Sequence, residues 1–349
     1  MRTSTRPAMD TRMQPLTLAD VETAAGARLD RAVWDFVQGG AGDTVRANTA
    51  AFARWRLRPS VGVDVSAIDL EMKLLGSHWR MPVAVAPLAP MRLCHRDGEV
   101  ACAAAATAAG VPMTLGMLAS YSIEAVAGPQ GVLWQQLYLL RDRTVTASVA
   151  RRAQAAGATA LVLTMDVPWT GRRLGDMRSG FRIPDHLRSG NVGDVVPVTW
   201  RDVAWLAEQT DLPVICKGIG TGGDADKAIE AGAAAVIVSN HGGRQLDGAL
   251  ASLDALPEVV DAVAGRVPVL VDGGIRTGRD VLVALALGAR AVLVGRPVLC
   301  GLAYAGRQGV EQVLGILADE LHDAMGQCGR PALAAIDRSL ITPANGAPG

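Results

Sequence analysis

Eight short apolar runs, each followed by a helix-forming stretch, recur from residue 81 onward and constrain the fold more than any other feature of the chain. "MPVAVAP" (81–87) precedes "DGEVACAAAATAAG", "VPMTLGM" (111–117) precedes "SIEAVAG", and "VLWQQLYL" (132–139) precedes "VTASVARRAQAAG". "ALVLTMD" (160–166) leads through an irregular segment to "TWRDVAWLAEQ", "PVICKGI" (213–219) to "DADKAIEAG", and "AAVIVSN" (234–240) to "LPEVVDAVAG". "PVLVDGG" (268–274) and "AVLVGR" (291–296) lead to "RDVLVALALGA" and "VEQVLGILADELHDAMG". Strands that are apolar throughout must be covered on both faces, which is the situation of a parallel sheet joined by helices. Eight units over about 250 residues fit a (β/α)8 barrel better than an open doubly wound sheet, and no GxGxxG follows the first run. An open Rossmann-like sheet is the alternative. Upstream, "LTLADVETAAGARLDRAVWDFVQGGAG" carries apolar residues at helical spacing and stops at Gly39-Gly40, so short helices precede the barrel. Residues 1–15 read as a loose polar tail and 16–349 as a single domain.

Lys plus Arg and Asp plus Glu balance at 34 each, which removes any general electrostatic pull toward nucleic acid or an anionic membrane. Any anion site must be local. No apolar run approaches the roughly 20 residues of a membrane span, and the N-terminus lacks the apolar middle of a secretory signal. The five cysteines, Cys94, Cys102, Cys216, Cys300 and Cys328, form no CxxC pair and read as reduced thiols, so a cytoplasmic location is expected. No metal site is expected.

In such a barrel, chemistry gathers at the C-terminal strand ends. Those ends carry Gln136 and Tyr138, Thr164 and Asp166, Lys217, then Ser239, His241 and Arg244 in "SNHGGRQLDG", and finally Asp272, Gly273, Gly274, Arg276, Gly295 and Arg296. The opposite ends are apolar or proline: Met81-Pro82, Val111-Pro112, Leu212-Pro213 and Val267-Pro268. Random surface charge would decorate both ends, so the asymmetry points to a site. Glycines with arginines after the last two strands suit a phosphate, because glycine bares backbone N–H groups and arginine adds a fork of donors. His241 as base near Arg244 suits proton removal from a carboxylate-bearing substrate, with Asp166 able to orient the imidazole. No side chain accepts two electrons, so redox chemistry here requires a cofactor.

"SNHGGRQLDG", with "QLY" (136–138), "TMDVPWTGRR" (164–173), "LPVICKGI" (212–219), "VDGGIRTGRDV" (271–281) and "VGRPV" (294–298), resembles the FMN-dependent 2-hydroxy acid oxidase and dehydrogenase family. The resemblance runs from "LTLADVE" to "DAMG". It implies an FMN enzyme that oxidises a 2-hydroxy acid, with O2 as acceptor, and a homotetramer. His241 would be the base and Asp166 its partner, while Arg173 and Arg244 would bind the substrate carboxylate with help from Tyr138. Lys217 would lie by the flavin N1 and O2. Pro87, Leu88, Ala89, Gln136, Thr164 and Ser239 would flank the ring or ribityl chain, and Asp272, Gly273, Gly274, Arg276, Gly295 and Arg296 would hold ribityl hydroxyls and phosphate. His241 would take either the C2 proton or the hydroxyl proton as hydride leaves.

Three departures from the family pattern bear on substrate. Phe36 stands where many members have a tyrosine, leaving an apolar wall that admits an aryl side chain. Leu88 replaces a hydroxyl residue, so only backbone would meet the flavin there, and Gly116 replaces a serine, which would open space near the ring. The polar segment 181–199 after the fourth strand reads either as a lid or as a loose surface loop. Two other functions remain open: an FMN-dependent isomerase of the isopentenyl diphosphate type, and a non-catalytic flavin-binding barrel.

Overall fold

The computed structural model describes residues 15–40, 42–128, 131–191 and 193–344. Of the expected tail, residues 1–14 lie outside the described residues. All eight apolar runs become strands: β1 (Val83–Leu88), β2 (Met113–Leu115), β3 (Leu133–Leu137), β4 (Ala160–Thr164), β5 (Val214–Ile219), β6 (Ala235–Val238), β7 (Val269–Asp272) and β8 (Ala291–Val294). They pair in parallel in chain order, and β8 closes on β1 through Val292 opposite Val83 and Val294 opposite Val85. The fold is therefore a closed (β/α)8 barrel, and the open sheet is ruled out.

Every barrel strand but β2 divides its apolar residues between two cores, as the period of two along a strand requires. Val85, Leu161, Cys216, Val236, Val271 and Val292 face outward into the layer beneath the helices. Ala84, Ala160, Ala235 and Ala291 face inward with Ile215 and Leu270. These small inner residues leave room for Trp134 of β3, whose ring lies 5.5 Å from that of Trp79. Trp79 belongs to an antiparallel hairpin, Met72–Leu74 and Ser77–Trp79, that stoppers the N-terminal end of the barrel. Replacing the fully buried Trp134 with alanine is expected to cost about 3–5 kcal/mol, read as a lower denaturation midpoint in guanidinium chloride; a loss under about 1 kcal/mol would show that the floor collapses to fill the gap.

Prolines at the closed end fit because the first position of a strand needs no N–H, while its carbonyl still starts the ladder. The Pro82, Pro112, Pro213 and Pro268 carbonyls accept from Val292, Val85, Leu161 and Val236 of the neighbouring strands.

At the open end the preceding helices are part of the wall. Leu18–Gly26, started by a Thr17/Asp20 capping box, packs on the terminal helical segment Arg296–Gln327, which is broken at Ala305 and Gly306. Arg31–Gln38 ends at Gly39 and packs on the short helix Leu174–Ser179 after β4. Asp43–Ala53 lies against the turn at 241–243. Segment 181–199 is not a free loop: Ser189 Oγ and Asn191 Nδ2 each donate to Met117 O at 3.0 Å, and Arg141 N donates to Asp194 O at 2.9 Å. No described helix is long and apolar enough to cross a membrane.

Candidate active site

The innermost polar layer is set by the same alternation that builds the floor. Gln136, Thr164, Lys217 and Asp272 follow Trp134, Val162, Ile215 and Leu270 by two residues, so they point into the barrel one level higher, where they are buried. Gln136 donates to Thr164 Oγ1 at 2.9 Å and accepts from Met117 N at 3.0 Å. Lys217 Nζ lies 2.9 Å from Asp272 Oδ2 and donates to Ser239 Oγ at 2.8 Å. Burial alone would depress this lysine, but Asp272 and Asp166 outweigh it and hold its pKa above the ordinary value. Lys217 thus stays charged at neutral pH.

Beyond β6 the chain turns through three successive residues of positive φ, His241 at 60°, Gly242 at 63° and Gly243 at 74°. Glycine carries two of these at no steric cost, whereas His241 is held in the left-handed region by its surroundings. Asn240 Oδ1 accepts from Gly243 N at 3.0 Å, and the Asn240 and Asn48 amides bond reciprocally at 2.8 Å. A Cβ on Gly243 would come within 2.7 Å of Val45 N, so that position must be glycine for the helix Asp43–Ala53 to approach. The turn aims the imidazole so that Nδ1 meets Asp166 Oδ1 at 3.2 Å. Burial tends to raise the Asp166 pKa, but hydrogen bonding and charge from His241 bring the net below the ordinary value. A carboxylate on Nδ1 leaves Nε2 free to accept a proton.

These groups surround a cavity of about 260 Å³ at the barrel mouth. Every residue expected at the site lines it except Asp166 and Ser239: Phe36, Pro87, Leu88, Ala89, Gln136, Tyr138, Thr164, Arg173, Lys217, His241, Arg244, Asp272, Gly273, Gly274, Arg276, Gly295 and Arg296. Asp166 sits behind His241. Ser239, expected against the flavin, adjoins Lys217, its hydroxyl accepting from Lys217 Nζ at 2.8 Å and from His241 N at 3.0 Å. Leu88 lines the cavity, with its Cδ2 3.5 Å from where a Cβ on Gly295 would stand. Gly116 also lines the cavity, and a Cβ there would meet Ala89 Cβ at 3.2 Å and Leu88 O at 3.3 Å, so the loop after β1 stands close against it. Leu118 and Ile183 also line the cavity and were missed, because nothing in sequence distinguishes them from packing residues.

In a chain of balanced charge, the lining carries Arg173, Lys217, Arg244, Arg276 and Arg296 against the single carboxylate of Asp272. Arg244 Nη1 donates to Gly39 O at 2.7 Å and Phe36 O at 3.0 Å, and its guanidinium lies 5.1 Å from the Phe36 ring centre. Arg296 donates to Gly39 O and Val37 O at 2.9 and 3.2 Å, and to Gly242 O at 3.1 Å. Burial, then Arg173 and Arg296, push Arg244 down to about 9, and burial, then Arg276, pushes Arg296 down to about 10. A guanidinium does not give up its proton, so these depressions reflect first the burial of the charges and then their mutual repulsion, both of which a bound anion would offset.

The expected FMN can be tested against the cavity. Gly273 and Gly274 adopt φ of 96° and 89° and bare the backbone below Arg276 and Arg296. A Cβ on Gly274 would strike Asn48 O at 2.1 Å. Asp272 Oδ1 is buried without a hydrogen-bond partner, an acceptor available to a hydroxyl. Phosphate among the arginines, a hydroxylated chain along Asp272 and a ring beside Lys217 fit these residues.

Comparison with known proteins agrees. Residues 25–197 and 191–343 match the FMN-dependent dehydrogenase family. The chain is 46% identical to the 4-hydroxymandelate oxidase of Amycolatopsis orientalis, over 93% of this chain and 98% of that one. It is 43% identical to an L-lactate oxidase of a Nostoc species, over 94% and 98%. A crystal structure of mandelate oxidase with benzoylformic acid superposes with a TM-score of 0.90 at 47% identity, covering 93% of this chain and 97% of that one. The chain belongs to the FMN-dependent dehydrogenase family, and FMN is its cofactor.

Proposed function

We propose that this protein oxidises an (S)-2-hydroxy acid with an aryl side chain, of the mandelate or 4-hydroxymandelate type, to the 2-oxo acid, using O2 and releasing H2O2. The observation that carries the reading is one cavity with His241, backed by Asp166, beside the unneutralised guanidinium groups of Arg173 and Arg244. FMN, when bound, would supply the two-electron acceptor that no side chain here can provide. Arg244 and Arg173 bind the substrate carboxylate, and His241 Nε2 takes the proton lost from the hydroxy acid. Asp166 holds the ring through Nδ1 and stabilises the imidazolium. Tyr138, whose phenol burial keeps protonated, donates to the substrate. Lys217 would hold a positive charge beside the ring, and Asp272, Gly274, Arg276 and Arg296 would hold the ribityl and phosphate end. The relatives over nearly the whole chain are oxidases, which speaks against the isomerase and non-catalytic alternatives. A cytoplasmic homotetramer belongs to the same reading.

The aryl preference rests on Phe36, whose ring packs 5.0 Å from Phe181 and walls the cavity. The decisive comparison is kcat/KM for glycolate, lactate, mandelate and 4-hydroxymandelate, with the aryl acids expected to exceed the small ones by at least about tenfold, a difference of ~1.4 kcal/mol. Higher kcat/KM for glycolate or lactate would overturn it. Phe36→Tyr should narrow that ratio in favour of small acids by placing a hydroxyl on the apolar wall; an unchanged ratio would remove Phe36 from the specificity argument.

A further inference from the structure

One carboxylate at the mouth takes no part in the chemistry above. Asp176 lies in the helix Leu174–Ser179, three residues after Arg173, and its Oδ1 is buried with no hydrogen-bond partner. Arg173 Nε, at the start of the same helix, is likewise buried and unpartnered. Both Asp176 and Arg244 reach Gly39: a Cβ on Gly39 would lie 3.5 Å from Asp176 Oδ1, while Arg244 Nη1 donates to Gly39 O at 2.7 Å. The buried Asp176 oxygen and the Arg244 guanidinium thus approach the same glycine without an ion pair between them. No ion pair joins Asp176 to either arginine, so its charge acts on them through space.

Resting on the reading of Arg173 and Arg244 as the carboxylate site, we infer that Asp176 is a built-in rival of the substrate carboxylate for these two arginines, and so weakens substrate binding. An incoming carboxylate must share the field of Arg173 and Arg244 with a fixed negative charge that does not leave. Like charges several ångströms apart in a partly buried site interact by about 1–2 kcal/mol, which is on the order of tenfold in affinity. Removing the charge therefore tightens binding.

Burial raises the Asp176 pKa, and Arg244 and Arg173 oppose that rise without cancelling it. The charged groups acting on it are Arg244 from the turn after β6 and Arg173 at the start of its own helix. On the packed helix Arg31–Gln38, Asp35 is paired with Arg31 at 2.8 Å. Because the folded value lies above the ordinary one, Asp176 becomes neutral as pH falls through it, and the rival charge disappears. Binding of an anion that stays ionised should tighten in that window.

The test uses the FMN-loaded enzyme and benzoylformate, a strongly acidic 2-oxo acid, with binding read from the shift in flavin absorbance. Asp176→Asn is expected to lower Kd by about tenfold at neutral pH and to abolish its tightening on acidification, while Asp176→Glu stays near wild type. The affinity of an uncharged probe, benzamide, should not change. KM for the hydroxy acid should fall with Kd. An unchanged or raised Kd in Asp176→Asn, with Asp176→Glu still binding, would overturn the proposal by showing that Asp176 merely orients the arginines or is remote from them. The underlying reading is tested apart from this by Arg244→Leu: benzoylformate affinity that survives that substitution removes the carboxylate site itself.

Discussion

Replacing His241 with alanine is expected to lower kcat/KM for the hydroxy acid by on the order of 10³–10⁴-fold while leaving FMN bound. The reason is the division of labour at the mouth. His241 is the one group in the lining with both a free ring nitrogen and a carboxylate behind it, whereas the arginines, the bare glycine backbone and Lys217 that would hold FMN are separate side chains. Asp166 loses its partner in the variant and remains buried, so a drop in thermal midpoint is expected as well. Retention of FMN is read from the visible spectrum after gel filtration and turnover from oxygen consumption. Wild-type turnover in this variant would contradict the role given to His241; loss of FMN would mean that the turn, rather than the proton, was disturbed.

Lys217→Met should have the second large effect, and on stability as much as on activity. It leaves Asp272 buried with neither oxygen paired, since Oδ1 already lacks a partner and Oδ2 meets only Lys217. Breaking a buried pair from one side typically costs about 3–5 kcal/mol, because the remaining charge is stranded. The expected result is a clearly lower denaturation midpoint and poor FMN content. Replacing Asp272 with leucine in the same chain should return much of the stability but not the FMN, since no charge is then stranded while the proposed ribityl contact is gone. A Lys217→Met chain as stable as wild type would show that the pair is solvated. The lysine's pKa is raised on folding, so its stabilising contribution is complete below the ordinary lysine value and is lost only as pH rises through the folded value, in alkali.

The barrel was legible in the sequence because each strand is buried on both sides and so carries a continuous apolar signal, bounded by proline at one end and polar residues at the other. The mouth was legible for the same reason: whatever follows an apolar run at a period of two must point into the barrel, which places Gln136, Thr164, Lys217 and Asp272 without reference to anything distant. What escaped depends on contacts far apart in the chain. The hairpin under Trp134 has strands of three residues and a turn at Leu75 and Gly76, both at positive φ, with none of the Asn-Gly or Asp-Gly chemistry that marks such turns. Asn48 reads as an ordinary polar residue on a helix, yet it braces Asn240 across 192 positions. Gly116 borders the cavity, yet Ala89 and Leu88 crowd the place of its missing side chain, a closeness that residue size alone does not reveal.

The central claim is that this barrel mouth passes two electrons from a 2-hydroxy acid to FMN with His241 as the base. The most direct measurement is anaerobic rapid mixing of the yellow protein with (S)-mandelate or (S)-4-hydroxymandelate, following the flavin absorbance band. Rapid, complete bleaching in wild type, slowed by on the order of 10³-fold in His241→Ala, is the predicted result. A flavin that stays yellow with every 2-hydroxy acid offered, or one that bleaches equally fast without His241, would contradict the account.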